Sequence, residues 1–170
     1  MSDADLRLFV VMLGGRHARA NTEVHDVVFG VGSSVEQTYP QLREQWFGEP
    51  AGLHLDSWMT VDGVEQWRVR LSADMPAAGM PRLYFVNLGG YVAGEFGEAH
   101  GYLLVVAADA AEAKRKALAQ AGVQWIKPHR DALFEVDSCL PVGPIGGLHV
   151  HLVHGAHAGI RCQSDYIVIS

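Results

Sequence analysis

Histidines and carboxylates recur at matching spacings in two parts of the chain. Glu-x-His and His-x-Asp each occur twice, and the eight residues are Glu23, His25, His54, Asp56, Glu98, His100, His129 and Asp131. Residues at positions i and i+2 of a β-strand point to the same face. Imidazole nitrogens and carboxylate oxygens are ligands for divalent transition metals. If a Glu-x-His pair meets a His-x-Asp pair, from the same or the other half, the set would bind such an ion with coordination positions left open.

A structural interpretation of the same residues is equally available from the sequence. The Glu and His side chains could hydrogen-bond to each other, or cap backbone groups nearby, as buried polar groups usually do. The faces of the strands that carry the two kinds of pair need not converge. The sequence therefore leaves metal binding and hydrogen bonding as two open readings.

A pair of glycines precedes each Glu-x-His. The four glycines are Gly14, Gly15, Gly89 and Gly90. Glycine permits either a turn with positive φ or a close approach of the backbone to a bound molecule. We treat the four as candidate cofactor- or ligand-binding positions, and we expect each Glu-x-His to lie at the mouth of a semi-buried cavity beside them.

The spacing of these motifs reflects a repeat with a period of 75 residues. Without a gap, residues 7–62 align with 82–137, and 15 of the 56 aligned pairs are identical. Composition alone would give roughly four identical pairs in such a window. The repeat indicates an internal duplication.

Each repeat is predicted to contain two strands, a helix and two further strands. An apolar run ending at the glycines is typical of a strand covered on both faces. Capping-box spacings at Ser34 and Asp109 indicate where the helices begin. The third and fourth strands are expected at 54–62 and 67–71, and again at 129–137 and 148–152. The predicted fold class is therefore α+β, with two tandem pseudo-symmetric ββαββ units and largely antiparallel sheets.

The repeats also suggest domain boundaries. We predict a first repeat unit at residues 1–74 and a second at 82–170, packed as one globular body, with a linker over 72–81 that contains Pro76, Gly79 and Pro81. If the third and fourth strands form hairpins, Asp137 would lie opposite His149.

Composition argues against two classes of partner. The chain has 19 acidic and 13 basic residues and a net charge of −6, whereas nucleic acid and anionic membranes attract a concentrated positive field. No segment reaches the ~20 apolar residues that span a bilayer. The two cysteines form no C-x-x-C motif, which favours a reducing, cytoplasmic location. We expect no nucleic-acid or membrane partner, and we keep a small-molecule ligand and a homo-oligomer as open alternatives.

Several short motifs, taken in order, resemble a known family. They are Leu-Gly-Gly, Glu-x-His, Tyr39-Pro40, Trp46-Phe47-Gly48, Leu53–Trp58 and Pro128–Asp131. Over about Leu6 to Leu152 the chain resembles the family called domain of unknown function 1543 (DUF1543). The resemblance implies a bacterial, cytoplasmic protein with tandem copies of the domain, and it implies no activity. Arg130 and Ala132 make the second His-x-Asp less acidic than the family's pattern.

Three functions remain open at this point. The leading one is a small-molecule-binding or accessory protein built from a duplicated module. The second is a metal-assisted enzyme acting on a small polar metabolite, and the third is a structural or oligomerisation module. No motif for a nucleophile or a phosphate-binding loop occurs, so the sequence assigns no catalytic residue and leaves the question of enzymatic activity open.

Overall fold

The chain forms two compact units. The computed structural model describes residues 6–91, 93–124 and 134–170. Unit 1 contains the chain up to Met75 together with Gly143–Ser170, and unit 2 is Pro76–Val142. The C-terminal segment, which the repeat boundaries assigned to the second half, thus belongs to the same compact unit as the N-terminal half. The change of unit at Met75 falls within the predicted linker.

A four-stranded antiparallel sheet organises unit 1. Its strands are β1 (Arg7–Gly15), β2 (Val24–Gly32), β3 (His54–Val61) and β10 (Ile160–Val168). They lie in the order β10-β3-β1-β2, so the apolar strand β1 is central. The predicted continuous burial of β1 is confirmed, since nearly every residue after Arg7 is buried. The final strand pairs with β3 along most of its length.

One face of this sheet carries the core of unit 1. Phe9, Val11 and Leu13 alternate along β1 and pack with Leu42 and Trp46, which belong to helix α1 (Tyr39–Gln45) and the residue after it. A short 3₁₀ turn at Glu36–Thr38 precedes α1, as expected from Pro40, which is tolerated only in the first turn of a helix. The predicted cap at Ser34 is wrong, because no side-chain cap bond forms at the start of the 3₁₀ turn.

A second, smaller sheet completes unit 1. It consists of β4 (Gly63–Val64), β5 (Trp67–Ser72) and β9 (His149–His154). Strands β5 and β9 are antiparallel, with Arg70 opposite His151. The predicted hairpin that set Asp137 opposite His149 is wrong, because β9 pairs with β5. Asp137 is therefore available for other contacts.

Unit 2 contains a three-stranded sheet and one helix. The elements are β6 (Arg82–Gly90), β7 (Ala99–Ala107), α2 (Ala110–Gln124) and β8 (Phe134–Pro141). The sheet order is β7-β6-β8, and all pairs are antiparallel. Alanines spaced by four residues along α2 pack on the β6 side chains Tyr84, Val86 and Leu88. Helix α2 extends past Gly122, the predicted end, to Gln124.

The coarse fold prediction is confirmed: the protein is α+β, and its paired strands are antiparallel. Within the described ranges, no helix has the length and apolar character that a membrane crossing requires. Cys139 and Cys162 are both free thiols.

The predicted capping box of α2 yields the first testable expectation. The backbone N–H of Glu112 donates to Asp109 Oδ1 at 2.8 Å, and the N–H of Ala108 donates to Glu112 Oε2 at 2.7 Å. Replacing Asp109 with alanine should lower the free energy of unfolding by about 1 kcal/mol, because the helix loses a partner for an unpaired N–H. Chemical denaturation measures the change, and Asp109→Asn, which retains a capping oxygen, should stay near the parent value. Equal destabilisation by both variants would contradict the capping role.

Candidate metal centre

Gly14 creates the space in which the first cluster of polar side chains forms. On central strand β1 it lies opposite His25 on β2 and opposite His54 on β3. Side chains of directly paired residues share a face of a sheet, so both imidazoles stand beside the bare Cα of the glycine. A Cβ added to Gly14 would lie 2.5 Å from His54 Nε2 and 2.7 Å from Asp56 Oδ2. The glycine is required because these two side chains occupy the space above it.

The structure brings the four predicted ligands of the first repeat together. His25 Nε2 lies 3.2 Å from Asp56 Oδ2 and 3.8 Å from Glu23 Oε2. His54 Nε2 lies 3.1 Å from Glu23 Oε1 and 3.4 Å from Asp56 Oδ1. Two donors bound to one tetrahedral ion by bonds of about 2.1 Å are roughly 3.4 Å apart. The spacing of the four side chains is thus similar to that of ligands around a single ion.

His54 is the most deeply placed member of this cluster. Its side chain is 2% exposed, against 47% for His25 and 50% for Glu23. Nδ1 lies 2.8 Å from the carbonyl oxygen of Gly52, and the ring of Tyr166 packs on the imidazole with centroids 4.2 Å apart. The sequence predicted that His54 faces away from the core. That prediction is wrong because β10 covers β3 and brings Tyr166 over the ring.

The hydrogen bonding of His54 determines which nitrogen faces the cluster. A backbone carbonyl only accepts hydrogen bonds, so Nδ1 must carry the proton donated to Gly52. In the neutral ring Nε2 is then an unprotonated acceptor that faces two carboxylates. Neither Nε2 nor the buried Asp56 Oδ2 has a hydrogen-bond partner among the described residues, although charged neighbours lie within 3.4 Å. Acceptors grouped in this way repel one another unless a cation or a proton lies between them.

A cleft of about 350 Å³ adjoins the cluster. Glu23 and His54 line it from the cluster side, and Arg16, Glu49 and Tyr166 line other parts. The semi-buried cavity predicted beside the glycine pair of the first repeat corresponds to this cleft, which Gly15 also lines. A small polar molecule in the cleft would therefore lie beside His54 and Glu23.

The glycine pairs are strand residues, and their predicted turn is wrong. Strand β1 continues through Gly14 and Gly15, which pair with His25 and Val24, and neither glycine has a positive φ. A Cβ on Gly15 would lie 2.8 Å from Trp46 Cζ2. The two glycines thus accommodate close neighbours on opposite faces of the sheet, polar side chains on one and an indole ring on the other.

A second cluster forms in unit 2, at the corresponding glycine. Gly89 on β6 lies opposite His100 on β7. His100 Nδ1 is 3.3 Å from Asp137 Oδ2, and its Nε2 is 4.0 Å from Glu98 Oε2. One donor atom from each of these three side chains lies within 4.8 Å of the others. Two of the predicted ligands, Glu98 and His100, thus meet a carboxylate that the sequence analysis did not select.

The strand register identifies why Asp137 was missed. Gly14 pairs with His54, whereas Gly89 pairs with Glu135, so the separation between the two third strands is 81 residues and not 75. Predicted ligands His129 and Asp131 lie outside the described residues. The offset of 81 already relates the predicted fourth strands, and extending it backwards would have aligned Asp56-Ser57 with Asp137-Ser138.

Cys139 does not have the surroundings of a reactive thiolate. Burial raises the pKa of its thiol, and the opposing effect of Lys114 is smaller. Its Sγ lies 3.9 Å from the carbonyl oxygen of Ala110, to which the thiol donates a weak hydrogen bond. A raised thiol pKa lowers the thiolate fraction at neutral pH. The chemistry of the molecule therefore centres on the histidine–carboxylate clusters.

Comparison with known proteins agrees with this combination of an α+β fold and histidine–carboxylate clusters. The chain belongs to the family described as Domain of Unknown Function (DUF1543), whose sequence profile matches residues 20–71. The match contains all four clustered residues of unit 1. Among solved structures, the protein Il1583 from Idiomarina loihiensis is 34% identical with a TM-score of 0.74, over 98% of this chain and 99% of that chain. No curated protein sequence matches the chain.

Proposed function

We propose that unit 1 binds a divalent transition metal ion through His25, His54, Glu23 and Asp56. The observation that carries the proposal is the buried, unpaired His54 Nε2, which is fixed as an acceptor by the Gly52 carbonyl and lies 3.1–3.4 Å from two carboxylates. A purely hydrogen-bonded cluster would give this nitrogen a well-aligned donor. An ion would satisfy both histidines and both carboxylates together.

The ligand types favour zinc or iron(II) over magnesium or calcium. Imidazole is a good ligand for zinc and iron, and hard cations prefer an all-oxygen set. The Gly52 carbonyl would orient His54 as an outer-shell partner does in other histidine sites. Tyr166 and the bare Cα of Gly14 would hold the imidazole in place and exclude water on the buried side.

The cleft beside the cluster makes a small polar molecule the expected second ligand. The Arg16 side chain, which lines this cleft, adds a positive charge beside the ion. A metal ion and a guanidinium together attract a carboxylate or phosphate group. We therefore propose a metal-dependent site for a small anionic metabolite. Metal-assisted catalysis is the second candidate, since the half-exposed Glu23 lies at both the cluster and the cleft and could accept a proton from the bound molecule.

Zinc binding by untagged protein tests the proposed site. We expect the parent to bind zinc in a tight class of about one equivalent that is lost in His54→Gln, because glutamine cannot replace the imidazole nitrogen. Equilibrium dialysis with elemental analysis measures the stoichiometry. Thermal denaturation should show that zinc raises the melting temperature of the parent more than that of the variant.

The control is His154→Gln, which removes an exposed imidazole that stacks on Trp67 in the smaller sheet. That variant should retain the tight class. A parent protein that binds less than a tenth of an equivalent of zinc, iron or manganese, with no thermal shift, would contradict metal binding and favour the hydrogen-bonding reading.

We further infer that the two units contain copies of one ββαββ module. The support is local and specific: β1 and β6 pair with their neighbours in matching registers, and the register shifts at Met12/Leu13 and at Asn87/Leu88. These positions are 75 residues apart, as are the glycine pairs that follow them. The cytoplasmic location and homo-oligomer stay predictions.

A further inference from the structure

We propose a second, independent divalent-cation site in unit 2, formed by Glu98, His100 and Asp137 and richer in oxygen ligands than the site of unit 1. The proposal rests on the geometry of unit 2 alone. It therefore holds or fails separately from the proposed function of unit 1.

The three side chains converge over a glycine that has no room for a side chain. A Cβ on Gly89 would overlap both Asp137 Oδ2 and Glu98 Oε1. His100 contacts both carboxylates, and one donor from each of the three residues lies within 4.8 Å of the others. Rearrangement of about an ångström would bring these donors to the spacing that ligands of one ion require.

The replacement of one histidine sets the chemistry of this site. Glu135 holds the register position that His54 holds in unit 1, opposite the glycine. The unit 2 cluster thus contains one imidazole among carboxylates, whereas the unit 1 cluster contains two. Loss of an imidazole lowers the affinity for zinc more than that for manganese, since manganese favours oxygen ligands.

A second observation also points to an oxygen-rich site. Asn87 lies two residues before Gly89 on β6, and therefore on the same face of the strand. Its Oδ1 is buried and has no hydrogen-bond partner among the described residues. The corresponding position of β1, by sheet register, is Met12, which is apolar. The face of unit 2 that carries the cluster thus has one more unsatisfied oxygen than unit 1.

The site is also more accessible than its counterpart. The side chains of Glu98 and Asp137 are each 29% exposed and that of His100 is 39% exposed, whereas unit 1 has a histidine that is 2% exposed. Solvated ligands lose more water on binding and are less fixed in position. We therefore expect weaker binding with faster exchange than in unit 1.

The test measures zinc and manganese separately in single-site proteins. His54→Gln leaves the unit 2 site, and His100→Gln leaves the unit 1 site. Each protein is titrated with zinc and with manganese by equilibrium dialysis, and manganese binding is also followed by electron paramagnetic resonance. We expect His54→Gln to bind one manganese ion, and its ratio of zinc to manganese affinity to be at least about tenfold below that of His100→Gln.

Two further variants, made in the His54→Gln protein, identify the ligands. Asp137→Asn should abolish manganese binding, because the amide lacks the charge, while circular dichroism shows whether the fold is retained. Glu135→His should raise zinc affinity by about tenfold or more with little change for manganese. Manganese binding that survives Asp137→Asn, equal affinity ratios in the two single-site proteins, or no manganese binding by His54→Gln would each overturn the proposal.

Discussion

Gly14→Ala is expected to remove tight metal binding and to lower the free energy of unfolding by about 1–3 kcal/mol. The added Cβ would lie 2.5 Å from His54 Nε2 and 2.7 Å from Asp56 Oδ2, distances shorter than any non-bonded contact. His54 cannot move away easily, because the Gly52 carbonyl and the Tyr166 ring hold the imidazole from the other sides. The methyl group would therefore displace a ligand as well as strain the sheet.

Gly155→Ala provides the matched control. Gly155 lies after β9, its φ is not in the positive range, and an added Cβ meets no described atom within 4 Å. This variant should keep the parent's zinc affinity and its unfolding free energy within about 0.5 kcal/mol. Zinc titration and urea denaturation of both variants provide the comparison. Tight zinc binding by Gly14→Ala would show that the ion does not occupy the space above β1.

A fragment of residues 1–74 is expected not to fold on its own. It contains β1, β2 and β3 but lacks β9 and β10, which pair with β5 and β3. It also lacks the core residue Ile169, and Arg43 Nε, which donates to the carbonyl oxygen of Ile169, loses its acceptor. A unit of this size buries little apolar surface, and uncovered β3 would be an exposed edge prone to aggregation.

Adding residues 143–170 as a separate peptide should restore the fold, because the two segments together make up unit 1. Far-ultraviolet circular dichroism during heating, with sedimentation to establish the mass, measures both cases. The fragment alone should show no cooperative transition, and the mixture should melt cooperatively. A cooperative, monomeric transition of the fragment alone, near that of the whole chain, would contradict the assignment of the C-terminal segment to unit 1.

Local patterns in the sequence predicted the elements but not all of their partners. The apolar run of β1, Pro40 at the start of α1 and the capping box at Asp109 each depend on neighbouring residues, and all three appear in the structure. The pairing of β10 with β3 brings together residues about 100 positions apart. No local pattern encodes such a contact, so the cover that Tyr166 provides for His54 was not predictable.

A β-bulge explains the error in the faces of β3. Strict alternation assigned His54 and Asp56 to one face and Met59 and Val61 to the other. The register shifts at Met12/Leu13, and Leu55 and Trp58, three residues apart, consequently share one core cluster. One extra residue in a strand reverses every later side chain, and bulges have no dependable sequence signal.

The ligands of the two clusters were predictable to different degrees. Glu23, His25, His54 and Asp56 were all chosen from residue type and spacing, and they converge in unit 1. In unit 2 the ungapped alignment selected His129 and Asp131, while six additional residues before β8 bring Glu135 and Asp137 to the matching register positions. An identity of residue type at the wrong offset thus concealed the correct carboxylate.

The most direct measurement of the central claim is the position of a bound ion. Crystals of untagged protein grown with zinc, and measured on both sides of the zinc absorption edge, locate the metal by anomalous scattering. The account predicts a peak within about 2.1 Å of a ring nitrogen of both His25 and His54, between the carboxylates of Glu23 and Asp56. A protein saturated with zinc that shows no peak at this position, or shows peaks only at the exposed histidines of β9, would contradict it.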